Sequence, residues 1–129
     1  MKRIFVIEDD FYIRDLYVEF FTQSGYEVVT ATDGQQALEK VKGQGKFDVI
    51  LLDIMLPQKS GIDVLKVFKS PEASTKDTPV FMLTNLGDEN IIKEAFKLGA
   101  DGYFLKVQLT PGDIINEIEA FLAKQNKVT

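Results

Sequence analysis

The sequence predicts an α/β fold: a parallel sheet covered by helices on both faces. Three observations carry that reading. Short apolar runs alternate five times with stretches of helical periodicity. The runs Ile4–Ile7, Val49–Leu52 and Val80–Leu83 are continuous, as strands buried on both faces require. Four of the strands stop abruptly on polar residues: Glu8, Asp53, Thr84 and Lys106. Strand-helix alternation implies parallel pairing, and 129 residues suit one core, so residues 1–129 are expected to form a single domain.

The elements follow in order. After Ile4–Ile7 come Glu8, Asp9 and Asp10, the last read as a helix cap. Ile13, Leu16, Tyr17, Phe20 and Phe21 fall at i, i+3, i+4, i+7 and i+8, which predicts one buried helix face. Gly25 is a stop signal. Tyr26–Ala31 reads as a more polar strand, nearer an edge. Asp33 and Gly34 open a helix carrying Ala37, Leu38 and Val41, broken by Gly43 and Gly45. The central strand ends on Asp53, and a loop through Pro57 to Gly61 leads to a helix with Ile62, Leu65 and Phe68. Pro71–Pro79 reads as a surface loop. After Val80–Thr84, a loop over Asn85, Leu86 and Gly87 precedes a helix begun by Asp88 and Glu89, with Ile91 or Ile92, Ala95 and Phe96 on its face and Gly99 at its end. Gly102–Leu105 is the last strand. Thr110, Pro111 and Asp113 open the final helix, with cap, Pro and acid in the positions a helix start favours. Lys124 to Thr129 reads as a short tail.

Right-handed crossovers leave few topologies for five such units. The flavodoxin-like (βα)5 three-layer sandwich, order 2-1-3-4-5, sets the first and third strands side by side. Glu8, Asp9 and Asp53 would then converge at one crevice.

Composition narrows the chemistry. A net charge of −5 argues against direct nucleic-acid binding. There is no cysteine and no histidine, which excludes disulfides, thiolate or histidine metal sites, and a Ser-His triad. The apolar start meets acids at residue 8, and no stretch approaches the roughly 20 apolar residues of a membrane helix. A soluble, cytoplasmic protein without membrane contact is expected.

Three carboxylates in one crevice repel: a like-charged pair about 4 Å apart costs about 4 kcal/mol at an effective dielectric near 20. Lys106 and a bound divalent cation are the available compensation. All-oxygen donors favour Mg²⁺ or Mn²⁺ over zinc. With Asp53 as a carboxylate nucleophile, and the metal, Lys106 and Thr84 set against phosphoryl oxygens, these parts describe a phosphoryl-transfer site.

At these residues the chain closely resembles the receiver domain of two-component response regulators. The resemblance is carried by Val6-Ile7-Glu8-Asp9-Asp10 with Ile13-Arg14, by Asp33-Gly34 with Ala37-Leu38, and by Asp48 through Pro57 with Gly61. Pro79 through Thr84 and Gly99 through Lys106 complete it. It implies a phosphorelay switch of bacterial type and not a free-standing enzyme, beyond self-phosphorylation from small donors and self-dephosphorylation. Asp53 would accept a phosphoryl group from a sensor histidine kinase or phosphotransfer protein. Glu8, Asp9, Asp53 and the backbone carbonyl of Met55 would hold Mg²⁺. Thr84 and Lys106 would contact the phosphoryl group. Thr84 and Tyr103 would act as the switch, changing the partner preference of the face made by the fourth helix, fifth strand and fifth helix. An unidentified downstream protein and a phosphorylation-dependent dimer are the implied partners.

The chain departs from the family pattern at four points. Val107 stands where Pro is usual, and a cis bond before a non-proline costs about 2.5–4 kcal/mol, so a trans or rearranged loop is expected. Ser60 replaces a usual Asp, read as a turn variation. Asn85 stands where a small residue is usual and would narrow access. Met55 and Leu86 cannot orient water, so self-dephosphorylation is expected to be slow. Three competing functions are an Asp-nucleophile phosphohydrolase, a nucleotide or flavin binder, and an unphosphorylated scaffold. The first wants an acid-base residue where Met55 stands, the second lacks its glycine motifs, and the complete acidic set opposes the third.

Overall fold

A computed structural model describes residues 1–85 and 89–128, with side chains to residue 125. The expected strand-helix alternation is present: β1 (Arg3–Ile7), α1 (Phe11–Gln23), β2 (Glu27–Ala31), α2 (Gly34–Val41), β3 (Val49–Asp53), α3 (Gly61–Phe68), β4 (Val80–Thr84), α4 (Glu89–Lys97), β5 (Gly102–Leu105) and α5 (Pro111–Val128). All pairings are parallel, in the order β2-β1-β3-β4-β5. The helix start expected at Asp88 and the loop residue Leu86 lie outside the described residues. Lys124 onward is not a tail: α5 continues through it to Val128.

The continuous apolar runs follow from a strand period of two with both faces covered. Phe5, Ile7, Ile50, Leu52 and Met82 face one core, shared with Ala37, Val64, Leu65, Phe68 and Ala95 of α2, α3 and α4. The alternate residues Ile4, Val6, Val49, Leu51, Phe81 and Leu83 face a second core with Tyr17 and Phe21 of α1 and Ile114, Ile118 and Leu122 of α5. β2 is half-exposed along most of its length, as its polar sequence predicted, and so is β5 at the opposite edge.

The helix starts are set by local chemistry. Asp10, Asp33 and Ser60 cap α1, α2 and α3, each side chain accepting a backbone N–H three residues on. Ser60 is therefore a functioning cap and more than a turn variation. At α5, Thr110 and Asp113 bond reciprocally: the Asp113 N–H donates to the Thr110 hydroxyl at 3.1 Å, and the Thr110 N–H to the Asp113 carboxylate at 3.0 Å.

One expected face divides in two. On α1, Tyr17 and Phe21 are buried, but Leu16 and Phe20 are exposed at 41% and 37%. The core accepts the stripe 13, 17, 21; Leu16 and Phe20 sit roughly 100° round the helix from it. Likewise, Ala95 is the buried residue of α4, and Phe96 lies on the outside. Among the described residues no helix is long and apolar enough to cross a membrane.

Candidate phosphoryl-transfer site

Register brings the strand ends to one edge. Ile7 pairs with Leu52, Asp53 with Leu83, and Thr84 with Leu105. The ladder continues just past the strands: the Glu8 N–H donates to the Ala31 carbonyl, Ile54 to Leu83 and Lys106 to Thr84. The four polar stops therefore stand in neighbouring strands at a common height.

Glu8 is fully buried and Asp53 is 3% exposed, whereas Asp9 faces solvent. The three offer carboxylate oxygens that all lie within 4.8 Å of one another. Lys106 lies between the buried pair. Its ammonium donates to Asp53 Oδ2 at 2.8 Å and forms an ion pair with Glu8 Oε1. The other oxygens take backbone donors: Asp53 Oδ1 accepts the Met55 N–H at 3.1 Å, and Glu8 Oε2 the Asp10 N–H at 3.1 Å.

The electrostatics follow. Burial pushes the Glu8 carboxyl up, Lys106 pulls it back, Asp53 raises it again, and it settles at about 7. Burial alone would lower the Lys106 ammonium, but Asp53 and Glu8 outweigh it and hold it up. One cation thus serves two buried carboxylates. Glu8 Oε1 receives no well-directed hydrogen bond and meets the Lys106 charge alone. An oxygen so placed, within a set of hard oxygen donors, fits a small divalent cation held by Glu8, Asp9 and Asp53.

The loop after Asp53 is fixed from both sides. The Gly61 N–H returns to the Ile54 carbonyl at 2.9 Å. A Cβ on Gly61 would stand 2.2 Å from the Asp53 carbonyl oxygen, so only glycine lets α3 start this close to the Asp53 backbone. From the other side, a Cβ on Gly34 would lie 2.3 Å from the Lys59 carbonyl oxygen.

The structure gathers Glu8, Asp9, Asp53 and Lys106, with the Met55 N–H against Asp53. Thr84, 6% exposed, ends the strand between those of Asp53 and Lys106. Asn85 next to it is exposed. Tyr103 stands apart, half-exposed, its ring edge-on to Phe96 with centroids 6.2 Å apart. The Lys106-Val107 turn contains no cis bond; the Gln108 and Leu109 N–H groups close it on the Leu105 carbonyl. Lys106 reaches Asp53 without the family's proline. Arg14, whose guanidinium donates to the Glu8 and Asp9 carbonyls, was given no role by the sequence; its place four residues after Asp10 was the available signal.

Comparison with known proteins identifies the family and the fold. The response regulator receiver domain model matches residues 4–119. The transcriptional regulatory protein CpxR of Escherichia coli is 35% identical over 98% of this chain and 51% of its own length. The phosphate regulon regulator PhoB of Klebsiella pneumoniae is 36% identical, over 95% and 52%. The chain spans about half the length of these curated relatives. Among solved structures, a CheY-like receiver domain protein from Methanospirillum hungatei superposes with a TM-score of 0.89 at 27% identity, covering 100% of this chain and 99% of that one.

Proposed function

Since the chain belongs to the response regulator receiver domain family, we propose that Asp53 accepts a phosphoryl group from a histidine of a sensor kinase or phosphotransfer protein in a two-component phosphorelay. The supporting observation is the buried Asp53 carboxylate held by Lys106 at 2.8 Å beside Glu8 and Asp9. The Asp53 oxygen attacks phosphorus, the P–N bond to the donor histidine breaks as the P–O bond forms, and the imidazole departs. The donor histidine lies outside residues 1–129, which contain none. Lys106 and the Thr84 hydroxyl meet charge on the phosphoryl oxygens as it develops. Glu8, Asp9, Asp53 and the Met55 carbonyl hold Mg²⁺, which when bound offsets the clustered charge and polarises a phosphoryl oxygen.

Residues 1–129 act as one receiver unit in the cytoplasm. Thr84 and Tyr103 carry the change at Asp53 to the face of α4, β5 and α5, which selects a protein partner or a second copy. The exposed Met55 side chain offers no hydrogen bond to an attacking water, so the phosphoryl group persists.

Intact mass after incubation with acetyl phosphate and Mg²⁺ tests this. One phosphoryl group is expected on the wild type and none on Asp53→Asn. Equal labelling of both proteins would remove Asp53 from its role. A phosphoryl half-life of seconds after donor removal would contradict the slow hydrolysis.

A further inference from the structure

Glu8 and Asp9 are consecutive, and consecutive side chains of an extended strand point to opposite faces. For both carboxylates to meet Asp53, the two peptide units after Ile7 must turn in one particular way. Something has to hold them there. Glu8 is held by its own contacts, to Lys106 and to the Asp10 N–H. Asp9 is not: among the described residues no hydrogen bond or ion pair engages its carboxylate, and it faces solvent. Its direction depends on the backbone that carries it.

A single residue grips that backbone. The Arg14 N–H donates to the Asp10 carbonyl at 2.9 Å, the first helical bond of α1. The Arg14 Nη1 donates to the Glu8 carbonyl at 3.0 Å and the Asp9 carbonyl at 3.3 Å. All three carbonyls of the acidic triplet are therefore bonded to one residue. The carbonyls of Glu8 and Asp9 precede the helix and cannot be claimed by it. The guanidinium carbon also lies over the exposed Phe11 ring, 5.7 Å from its centroid. Among the described residues it forms no ion pair.

We propose that Arg14 is a positioning residue for magnesium. It clamps the turn between β1 and α1, so that the Asp9 carboxylate is held facing the cluster before the ion arrives. This rests on the magnesium site proposed above. The clamp makes a prediction opposite in sign to simple electrostatics. A positive charge near the site repels Mg²⁺, so removing it would tighten binding if charge were its whole effect. If the clamp dominates, removing it weakens binding.

Isothermal titration of Mg²⁺ into the wild type, Arg14→Gln, Arg14→Lys and Asp9→Asn separates the cases. The expected dissociation constant for Arg14→Gln is about tenfold higher than wild type, in the range that supporting residues of metal ligands reach. Arg14→Lys, which keeps charge and donors without the planar fork, should recover part of the loss. It also serves as the folded variant if Arg14→Gln is unstable. An Arg14→Gln affinity equal to or tighter than wild type, with Asp9→Asn still defective, overturns the clamp and leaves the metal site standing. Failure of the wild type itself to bind Mg²⁺ overturns the metal site and the clamp with it.

Discussion

At the scale of single residues, Lys106 has the most consequential placement. Its side chain is 7% exposed and serves two carboxylates, Glu8 and Asp53, that are buried as deeply. Removing one member of such a group strands the rest, a loss of about 3–5 kcal/mol. Lys106→Met is therefore expected to lower metal-free stability by about that amount, read from urea unfolding. Magnesium should recover more stability in the variant than in the wild type, because the ion then replaces the positive charge that Lys106 gave to both acids. An identical magnesium response in the two proteins would mean that the ion does not bind at these carboxylates. The expectation that Lys106 compensates the acids was available from strand ends alone, since ammonium and carboxylates stop neighbouring strands. That Glu8 would be wholly enclosed was not, because enclosure depends on how distant segments pack around the strand end.

At the scale of elements, what was legible divides along the same line. Strand identity, helix caps and polar stops are encoded locally, in residues that neighbour each other in the chain, and the handedness of crossovers then gives the strand order. The fate of Leu16 and Phe20 is not. Their spacing matches a core stripe, and only the packed position of α1 decides that Tyr17 and Phe21 take the core while they face outward. Long-range polar contacts were equally hidden. The Tyr26 hydroxyl, just ahead of β2, donates to the Glu119 carboxylate of α5 at 2.7 Å, and Lys2 approaches the same carboxylate at 3.0 Å. Burial and then Glu119 raise Tyr26 above its ordinary value of 10.0. The hydrogen bond from Tyr26, then Lys2, lowers Glu119 below its ordinary 4.5. A raised tyrosine holds its proton more tightly in the folded chain. Its contribution is complete below pH 10 and is lost as pH climbs above it. The lowered carboxyl contributes above pH 4.5 and loses its contribution as pH falls below that. Tyr26→Phe should cost about 1 kcal/mol at neutral pH, and its deficit should shrink at both extremes. A deficit constant from acid to alkaline pH would show that this contact contributes nothing.

At the scale of the whole molecule, the proposed function requires Asp53 and the face of α4, β5 and α5 to share one equilibrium. Tyr103 is the proposed link, and its ring stands outside, edge-on to Phe96. Such aromatic contacts are worth about 0.5–1.5 kcal/mol beyond burial, whereas moving a switch from 1:99 to 99:1 takes about 5.5 kcal/mol. Phe96 can therefore bias the outward ring but cannot hold it there against phosphorylation. Phe96→Ala is expected to raise the inward population of the unphosphorylated protein about threefold to tenfold, measurable by fluorine resonance from labelled tyrosine. Linkage then fixes a second result. If the inward ring favours the occupied Asp53 site, the same substitution must tighten binding of beryllofluoride, a phosphoryl mimic. While the inward state remains a minority, the tightening should match the factor by which its population rose. The two effects have one cause, and measuring both in one variant is decisive. A shift in the ring without a change in beryllofluoride affinity would sever Tyr103 from Asp53 and leave the α4, β5 and α5 face without a route to the site.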